Sequence, residues 1–594
     1  MKTVFHTLII GSGCAGYHAA ERLWMLGVRD IAIITEGRTM GTSRNTGSDK
    51  QTYYKLSLCG SDGDSVREMA QTLYDGGGVM GETALIEAAY STRCFMHLVE
   101  LGVPFPTNEY GEYVGYKTDH DPRSRATSCG PLTSKYMTEA LESSVLEKGI
   151  PILDGYFVTR IMTDNNAVQG LVALDIDTNE HIQFSCINVI LCTGGNSSVY
   201  EHTVYPESQH GALGLAIEAG AVMANLDQWQ YGIASVQFRW NLSGSYQQVL
   251  PRYISVDQDG TEREFLYDQL GKDSLSFTFL KGYQWPFDVR KATGSSQIDL
   301  LVAEEIAKGR RVFLDYQKNP RVWDEETYFA LIPEAYWYLE NAGCLFGTPI
   351  RRLKKLNSKA IEFYDSHGID LSRDRLEIAV CAQHINGGVA VDANWESSVK
   401  GLYAAGEAAG TFGVYRPGGS ALNATQVGAL RAAEHIASQK NVTRVPEMKT
   451  SNSFPPVMGN ESLSPADISQ KFRHEMSLHA AYYRDIKNMK RIYEQADYRL
   501  HHMEEVSSSN LRDWYLLQDQ LRSTKAILSA MICSAENVGS HGSALIRGQE
   551  QSFLTETRRT RTLTDSSGSY IHPVSPIPDG DLLFERVLSM QKKP

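Results

Sequence analysis

The segment from Val4 to Glu36, VFHTLIIGSGCAGYHAAERLWMLGVRDIAIITE, sets the architecture. Val4–Ile10 is apolar apart from His6 and Thr7 and reads as a mostly buried strand. Gly11-Ser12-Gly13-Cys14-Ala15-Gly16 follows at once, and an amphipathic helix runs from about Tyr17 to Leu26. A second apolar strand, Ile31–Ile34, leads to Glu36, roughly twenty residues beyond the last glycine. Strand, glycine turn, helix, strand and acid in this order form a dinucleotide-binding fingerprint. Gly11 permits the tight turn, and Gly13, with Ala15 in the same turn, lets backbone approach a pyrophosphate. Gly16 lets helix pack on strand, and Glu36 accepts hydrogen bonds from the adenosine ribose. The spacing alone does not separate FAD from NAD.

A second glycine-rich stretch lies far along the chain, at Val399–Leu430. An apolar strand, Gly401–Ala405, enters Gly406-Glu407, and the loop beyond carries a single arginine, Arg416. Gly418-Gly419-Ser420 opens a helix through Leu430, whose bare first-turn amides attract oxygen-rich groups. Between the two stretches, Ile152–Val189 alternates in strand fashion, and Val189–Cys192 is a buried strand closing on Thr193-Gly194-Gly195. From about Ala234 to Glu362 the α/β alternation gives way to an aromatic-rich insertion. Residues 440–465 are rich in Pro, Ser and Asn and read as a linker. Ile468–Glu505 and Asn510–Val538 carry long helical periodicity, and the last thirty residues read as an extended packing tail.

With 594 residues the chain is long enough for several domains. A net charge of -13 argues against nucleic acid or an anionic membrane surface as partner. No apolar run reaches the ~18–20 residues that span a bilayer, and the fingerprint begins where a leader peptide would sit. These features, with nine scattered cysteines and no C-x-x-C pair, point to reduced thiols in the cytoplasm. They also exclude the usual zinc, iron–sulfur and c-type haem spacings.

The whole pattern resembles the flavoprotein family of succinate dehydrogenase, fumarate reductase and L-aspartate oxidase. The resemblance implies FAD. The polar loop Thr42–Ser48, with Ser43, Asn45, Thr46 and Gly47, falls where the ribitol and ring extend. Asn45 occupies the place of the histidine that carries covalent flavin, so the bound FAD is expected to be non-covalent. Backbone near Val158 meets the adenine, Thr193-Gly194-Gly195 returns to the cofactor, and Glu407 holds the ribitol. Ser420, Ala421 and Leu422 supply amides to the pyrimidine edge.

The family's substrate motifs are only partly kept. Arg416 matches the arginine that pairs with a substrate carboxylate, a task suited to a forked, permanently charged guanidinium. His210-Gly211-Ala212 stands in place of Gly-Asp-Gly, and Gln230-Tyr231-Gly232-Ile233 in place of Gln-Phe-His-Pro. The loss of that histidine at Gly232 counts against fumarate or succinate. Gln383 fills the slot of another family histidine, with His384 one place later and able to exchange a proton near pH 7. Ser295-Ser296 falls at the place of the proton-shuttling arginine, and Arg290 or Lys291 is near enough to substitute. His541 stands in a region like the family's Glu-Ser-Arg-Gly-His, where a helix-end cap is the simpler reading.

The expectation is therefore an α/β protein with a Rossmann-type FAD-binding domain in two parts, 1–233 and 366–440. An α+β capping domain, 234–365, interrupts it, and a helical C-terminal domain with tail, 466–594, follows the linker at 441–465. The expected activity is hydride transfer between flavin N5 and a C–C (or C–N) bond of a small anionic substrate. Arg416 anchors the anion, His384 or Arg290 handles the proton, and Gln383 shares the site. An amino-acid oxidase or dehydrogenase is the alternative enzyme, and a non-catalytic flavoprotein component the alternative class. With no second nucleotide, cluster or haem motif, a separate electron-donor protein is among the expected partners.

Overall fold

The computed structural model describes residues 2–61, 63–323, 328, 331–439, 464–508, 510–549 and 558–579. All but the last two residues of the expected linker at 441–465 lie outside these. Along the first half run β1 (Thr7–Ile10), α1 (Cys14–Met25), β2 (Ile31–Thr35), α2 (Gly81–Glu100) and α3 (Thr133–Glu147). Then come β3 (Ile152–Asp154), a meander of β4 (Tyr156–Asp164), β5 (Ala167–Asp175) and β6 (His181–Ser185), and β7 (Asn188–Leu191). The middle holds β8 (Trp229–Ser235), β9 (Arg252–Val256), α4 (Gln297–Ala307), β10 (Arg311–Asp315) and β11 (Leu376–Ile385). Last are β12 (Leu402–Ala404), α5 (Ser420–Ser438), α6 (Pro465–His479), α7 (Ile486–His501) and α8 (Leu511–Asn537).

The central sheet is wholly parallel, in the order β12-β7-β1-β2-β3. Its registers pair Ile9 with Ile33 and Ile190. Every residue of β1, β2 and β7 is buried, as a parallel sheet covered on both faces requires. α1 crosses back over the sheet against α5. The close approach depends on Gly16, where a Cβ would stand 1.9 Å from the Gly11 carbonyl oxygen. Gly11 itself has φ +106°, a conformation open to glycine.

A second sheet is antiparallel and joins the two ends of the aromatic-rich insertion. β8 pairs with β11, β11 with β10 and β10 with β9. Thus β8 and β11, which flank the insertion in sequence, are continuous with strands inside it. One apolar core links both sheets to the C-terminal helices, through residues such as Leu8, Ile33, Ile378, Val427, Ile492 and Leu521.

The C-terminal part departs from the periodicity in two places. The helical pattern over 468–505 is broken between α6 and α7. There the buried Arg484 turns inward and donates to the carbonyls of Ala481 and Asp227, while Asp485 caps α7 through the Asn488 amide. The tail begins as a hairpin, Thr560–Asp565 with Gly568–Pro573, rather than an extended strand alone. Among the described residues no helix is long and apolar enough to cross a membrane.

Candidate active site

A cavity of about 1100 Å3 collects residues from nearly the whole chain. The turn before α1 brings Gly11 and Gly13 to its wall, the first turn of α1 brings Ala15, and the end of β2 brings Glu36. The polar loop adds Ser43, Thr46 and Gly47, the meander Val158, and the turn after β7 Thr193 and Gly194. The stretch after β12 supplies Glu407, Arg416, Ala421 and Leu422, and the end of β11 supplies Gln383 and His384. These are residues that the sequence singles out, drawn together from positions 11 to 422.

Five others stand back from the wall. Gly16 serves the α1 packing described above, and the Gly195 amide donates to Glu407 Oε2 at 3.2 Å. Ser420 closes the turn before α5: its hydroxyl and amide both point at Pro417 O, and the Leu422 amide turns back to Gly419 O. Those two amides are consumed by the tight turn rather than offered to a ligand. Asn45 is exposed, and its side-chain amide donates to the carbonyls of Thr39 and Gly41, so it closes its own loop. Arg290 is also exposed. It forks onto Asp288 and lies 3.5 Å over the Tyr415 ring. A guanidinium so engaged does not face the cavity, which corrects its expected place in the site.

A bulge in the second sheet shapes the reactive end. Gln230 pairs with His384 but Tyr231 with Ala382, so Gln383 is the extra residue in β11. In a regular strand, neighbours point to opposite faces; here both Gln383 and His384 line the cavity. The His384 Nδ1 faces Asn386 Oδ1 at 3.0 Å. Because Asn386 Nδ2 donates to Val414 O, that oxygen is the acceptor and Nδ1 carries the proton. Burial and the neighbouring Arg416 hold the imidazole neutral, with its pKa well below the usual value. Its Nε2 stands 3.7 Å from Glu407 Oε1.

Glu407 accepts from Tyr205 Oη and from the amides of Ile385 and Gly195. Burial nevertheless raises its carboxyl to about 7. Arg416 donates Nη2 to Gln230 Oε1 at 2.6 Å. Among the described residues no carboxylate pairs with it, and burial lowers it to about 10.

Several buried polar atoms on this wall have no hydrogen-bond partner among the described residues. They are Arg416 Nε, His384 Nε2, Gln383 Oε1, Trp285 Nε1, Thr42 Oγ1 and Thr193 Oγ1. Orphaned groups of this kind each cost about 1–3 kcal/mol when nothing meets them, so their clustering on one cavity marks a site built for a polar ligand.

Four contributors carry no signal that sequence alone reveals. Trp285 lies against Gly232, where a Cβ would come within 2.2 Å of its Nε1, so the indole fills the space that a side chain at 232 would need. His120 reaches the cavity from a loop at φ +61°, uncommon for a residue with a side chain. Its loop is tied to the Arg416 loop by Thr118 Oγ1 donating to Gly418 O. Tyr515 and Asp519 of α8 line the cavity beside Val158 and His210. His541, by contrast, lies in a buried cluster with Gln228, Asp227 and Arg558, apart from the cavity lining.

The family model described as FAD binding domain matches residues 6–422. The chain belongs to the FAD binding domain family. A fumarate reductase (CoM/CoB) subunit from Methanothermobacter marburgensis is 24% identical, over 90% of this chain and 93% of its own length. L-aspartate oxidase of Agrobacterium fabrum is 25% identical over 78% of each chain. L-aspartate oxidase 2 of Ralstonia nicotianae is 24% identical over 62% of this chain, an alignment that spans 61% of the relative. Among solved structures, the Mycobacterium smegmatis Sdh1 chain has a TM-score of 0.72 at 16% identity, covering 99% of this chain and 98% of its own. A variant E. coli quinol fumarate reductase FrdA has 0.67 at 18%, covering 97% of each. The protein is an FAD-dependent oxidoreductase with the fold of these flavoproteins.

The residues present fit FAD. Gly13 has room for close approach, since a Cβ there would stand 3.1 Å from Ser43 Oγ. Gly13 and Gly419 offer no capping side chain to α1 and α5. Ser43 Oγ accepts from the Cys14 amide and the turn takes those of Ser420 and Leu422, which leaves the other first-turn amides to favour anionic oxygen. Glu36 would take the ribose, the α1 end the pyrophosphate, Thr42 and Thr193 the polar middle, and Ala421 and the α5 end the ring.

Proposed function

We propose that the enzyme reduces, or in reverse forms, a C–C (or C–N) multiple bond in a small substrate bearing one carboxylate, and that fumarate and succinate are not its preferred pair. Bound FAD supplies the two-electron hydride chemistry. Arg416 carries this reading: a buried guanidinium with one neutral partner gains most from an anion on its free Nε edge. The neutral Trp285 indole at Gly232 adds a single donor where the resembling family has a histidine, which favours one anionic group over two.

The proton belongs to His120 in this reading. Its Nε2 stands 3.6 Å from Asp119 Oδ2, and Lys291 Nζ pairs with the same oxygen at 2.5 Å. Asp119 thus links the imidazole to Lys291 of the insertion. Burial lowers the His120 pKa and Asp119 opposes the shift, so the ring rests as a neutral base whose protonated form Asp119 favours. His384, held neutral, presents its Nε2 lone pair as an acceptor and so does not hold the carboxylate.

The methanogen relative is named as one part of a larger fumarate reductase, which supports a separate electron-carrying protein as partner. The L-aspartate oxidase names support a second reading, oxidation of a C–N bond in an amino acid. The test is anaerobic: dithionite-reduced holoenzyme is mixed with crotonate, cinnamate, fumarate or iminoaspartate, and the flavin absorbance is followed. Reoxidation by a monocarboxylate faster than by fumarate is expected. Reoxidation by iminoaspartate alone moves the assignment to amino-acid oxidation, and a response to none of them removes the proposal.

A further inference from the structure

We propose that α8, which lies beyond the matched residues 6–422, is part of the FAD site, with Arg512 as a positioning residue for the ribose acid Glu36. Arg512 Nε donates to Glu36 Oε1 at 2.6 Å, and Nη2 donates to the same oxygen. Because both contacts fall on Oε1, Oε2 keeps its lone pairs for a ribose hydroxyl. The guanidinium is held in turn: Nη2 also meets His210 Nε2 at 3.1 Å, and the charge stands 6.0 Å from the centre of the Phe157 ring.

The pair is well sheltered, with side-chain exposures of 20% and 18%. It is therefore not an ordinary surface ion pair of little consequence. Burial pushes the Glu36 carboxyl up and Arg512 pulls it down, so removal of Arg512 favours a protonated acid that donates where it should accept. The rest of the helix start follows the same wall. Tyr515 and Asp519 line the cavity with Val158 and His210. Asp519 lies so close to the backbone at Gly214 that a Cβ there would meet its Oδ1 at 2.3 Å.

Two consequences follow from thermodynamic linkage. FAD binding must stabilise the docked start of α8, and anything that loosens α8 must weaken FAD. Neither depends on what the enzyme reduces.

The experiment uses full-length protein, stripped of FAD and titrated with FAD by fluorescence. Arg512→Leu is expected to raise the Kd by about 10- to 100-fold, and Arg512→Lys by less. In a Glu36→Gln background the same change should matter less than threefold, because the acid it positions has gone. Hydrogen exchange of the unmutated protein with and without FAD is independent of whether a variant folds. Residues 511–519 should gain protection with FAD, and 486–501 of α7 much less. A Kd within twofold of wild type for Arg512→Leu, an undiminished effect in the Glu36→Gln background, or equal exchange at 511–519 with and without FAD would overturn the proposal.

Discussion

Arg416 is an expensive side chain where it stands. Its charge is taken from water and, among the described residues, returned one neutral hydrogen bond, to Gln230, an arrangement that costs free energy until an anion arrives. Arg416→Ala is expected to keep the FAD absorbance and to weaken a carboxylate ligand by about 2 kcal/mol or more. Titration of holoenzyme with crotonate, read through the flavin spectrum, measures this. Loss of flavin instead would make Arg416 a scaffold residue. An arginine in a glycine-rich loop is more often a surface ion pair, so the sequence singles out Arg416 only through its match to the family's carboxylate-binding arginine, and the structure places it on the cavity wall. Arg290 is equally visible but is occupied by Asp288, which no sequence pattern announces.

Glu87 gives a residue-scale prediction about stability. It sits buried in α2 with Oε1 unpartnered among the described residues, and burial raises its carboxyl to about 8. The folded state therefore binds this proton more tightly than the unfolded state does. The stabilisation is complete below the unfolded value near 4.5 and is lost as pH rises through about 8. Glu87→Gln should flatten that slope: relative to wild type the variant gains on the order of a few kcal/mol by pH 8–9. Thermal melts from pH 5 to 9 decide it, and parallel curves for the two proteins would refute it. Asp519 and Glu407, each raised to about 7, carry the same sign and leave a residual slope below pH 7.

At the scale of elements, the β1–α1–β2 unit is legible to within a few residues because its glycines answer backbone demands. The Gly16 packing admits no other side chain, and a sequence records that constraint directly. The β11 bulge is not legible. A histidine one place out of register looks like a lost loop residue, yet the extra residue in the strand returns both Gln383 and His384 to the wall. Gly232 reads in sequence as a loss, whereas the structure packs the Trp285 indole, from further along the chain, against it. Gly232→Ala should therefore drive its Cβ into the indole and destabilise the fold by about 1–3 kcal/mol through overpacking. FAD should stay bound while the carboxylate affinity falls. A melt unchanged from wild type would show that the indole moves freely.

Considered as a whole, the molecule closes its cavity with parts that no single motif spans. Asp119, from the loop before α3, and Lys291, from the insertion, meet in one ion pair beside His120. Asp119 raises the His120 pKa, as does Asp288, while Lys291 and Arg290 lower it. Asp119→Asn should therefore shift the limb of the pH–rate profile that reports His120 to lower pH, by about one unit. An unmoved limb would place the proton elsewhere. This long-range assembly is beyond the reach of sequence reading: motifs mark where backbone must bend, while His120, Trp285 and Arg512 matter only through what folds against them.

The parallel order β12-β7-β1-β2-β3 has a consequence for synthesis. A ribosome that has delivered β1, β2, β3 and β7 has not yet made β12, residues 402–404, which seals the far side of β7. Until then Asn188–Leu191, wholly apolar after its first residue, presents an unpaired edge on the nascent chain, the kind of surface that chaperones cover and aggregates recruit. Slow translation through the long insertion would prolong that exposure, so the yield of native protein should respond to codon choice between β8 and β11 more than to any change in the finished enzyme's stability.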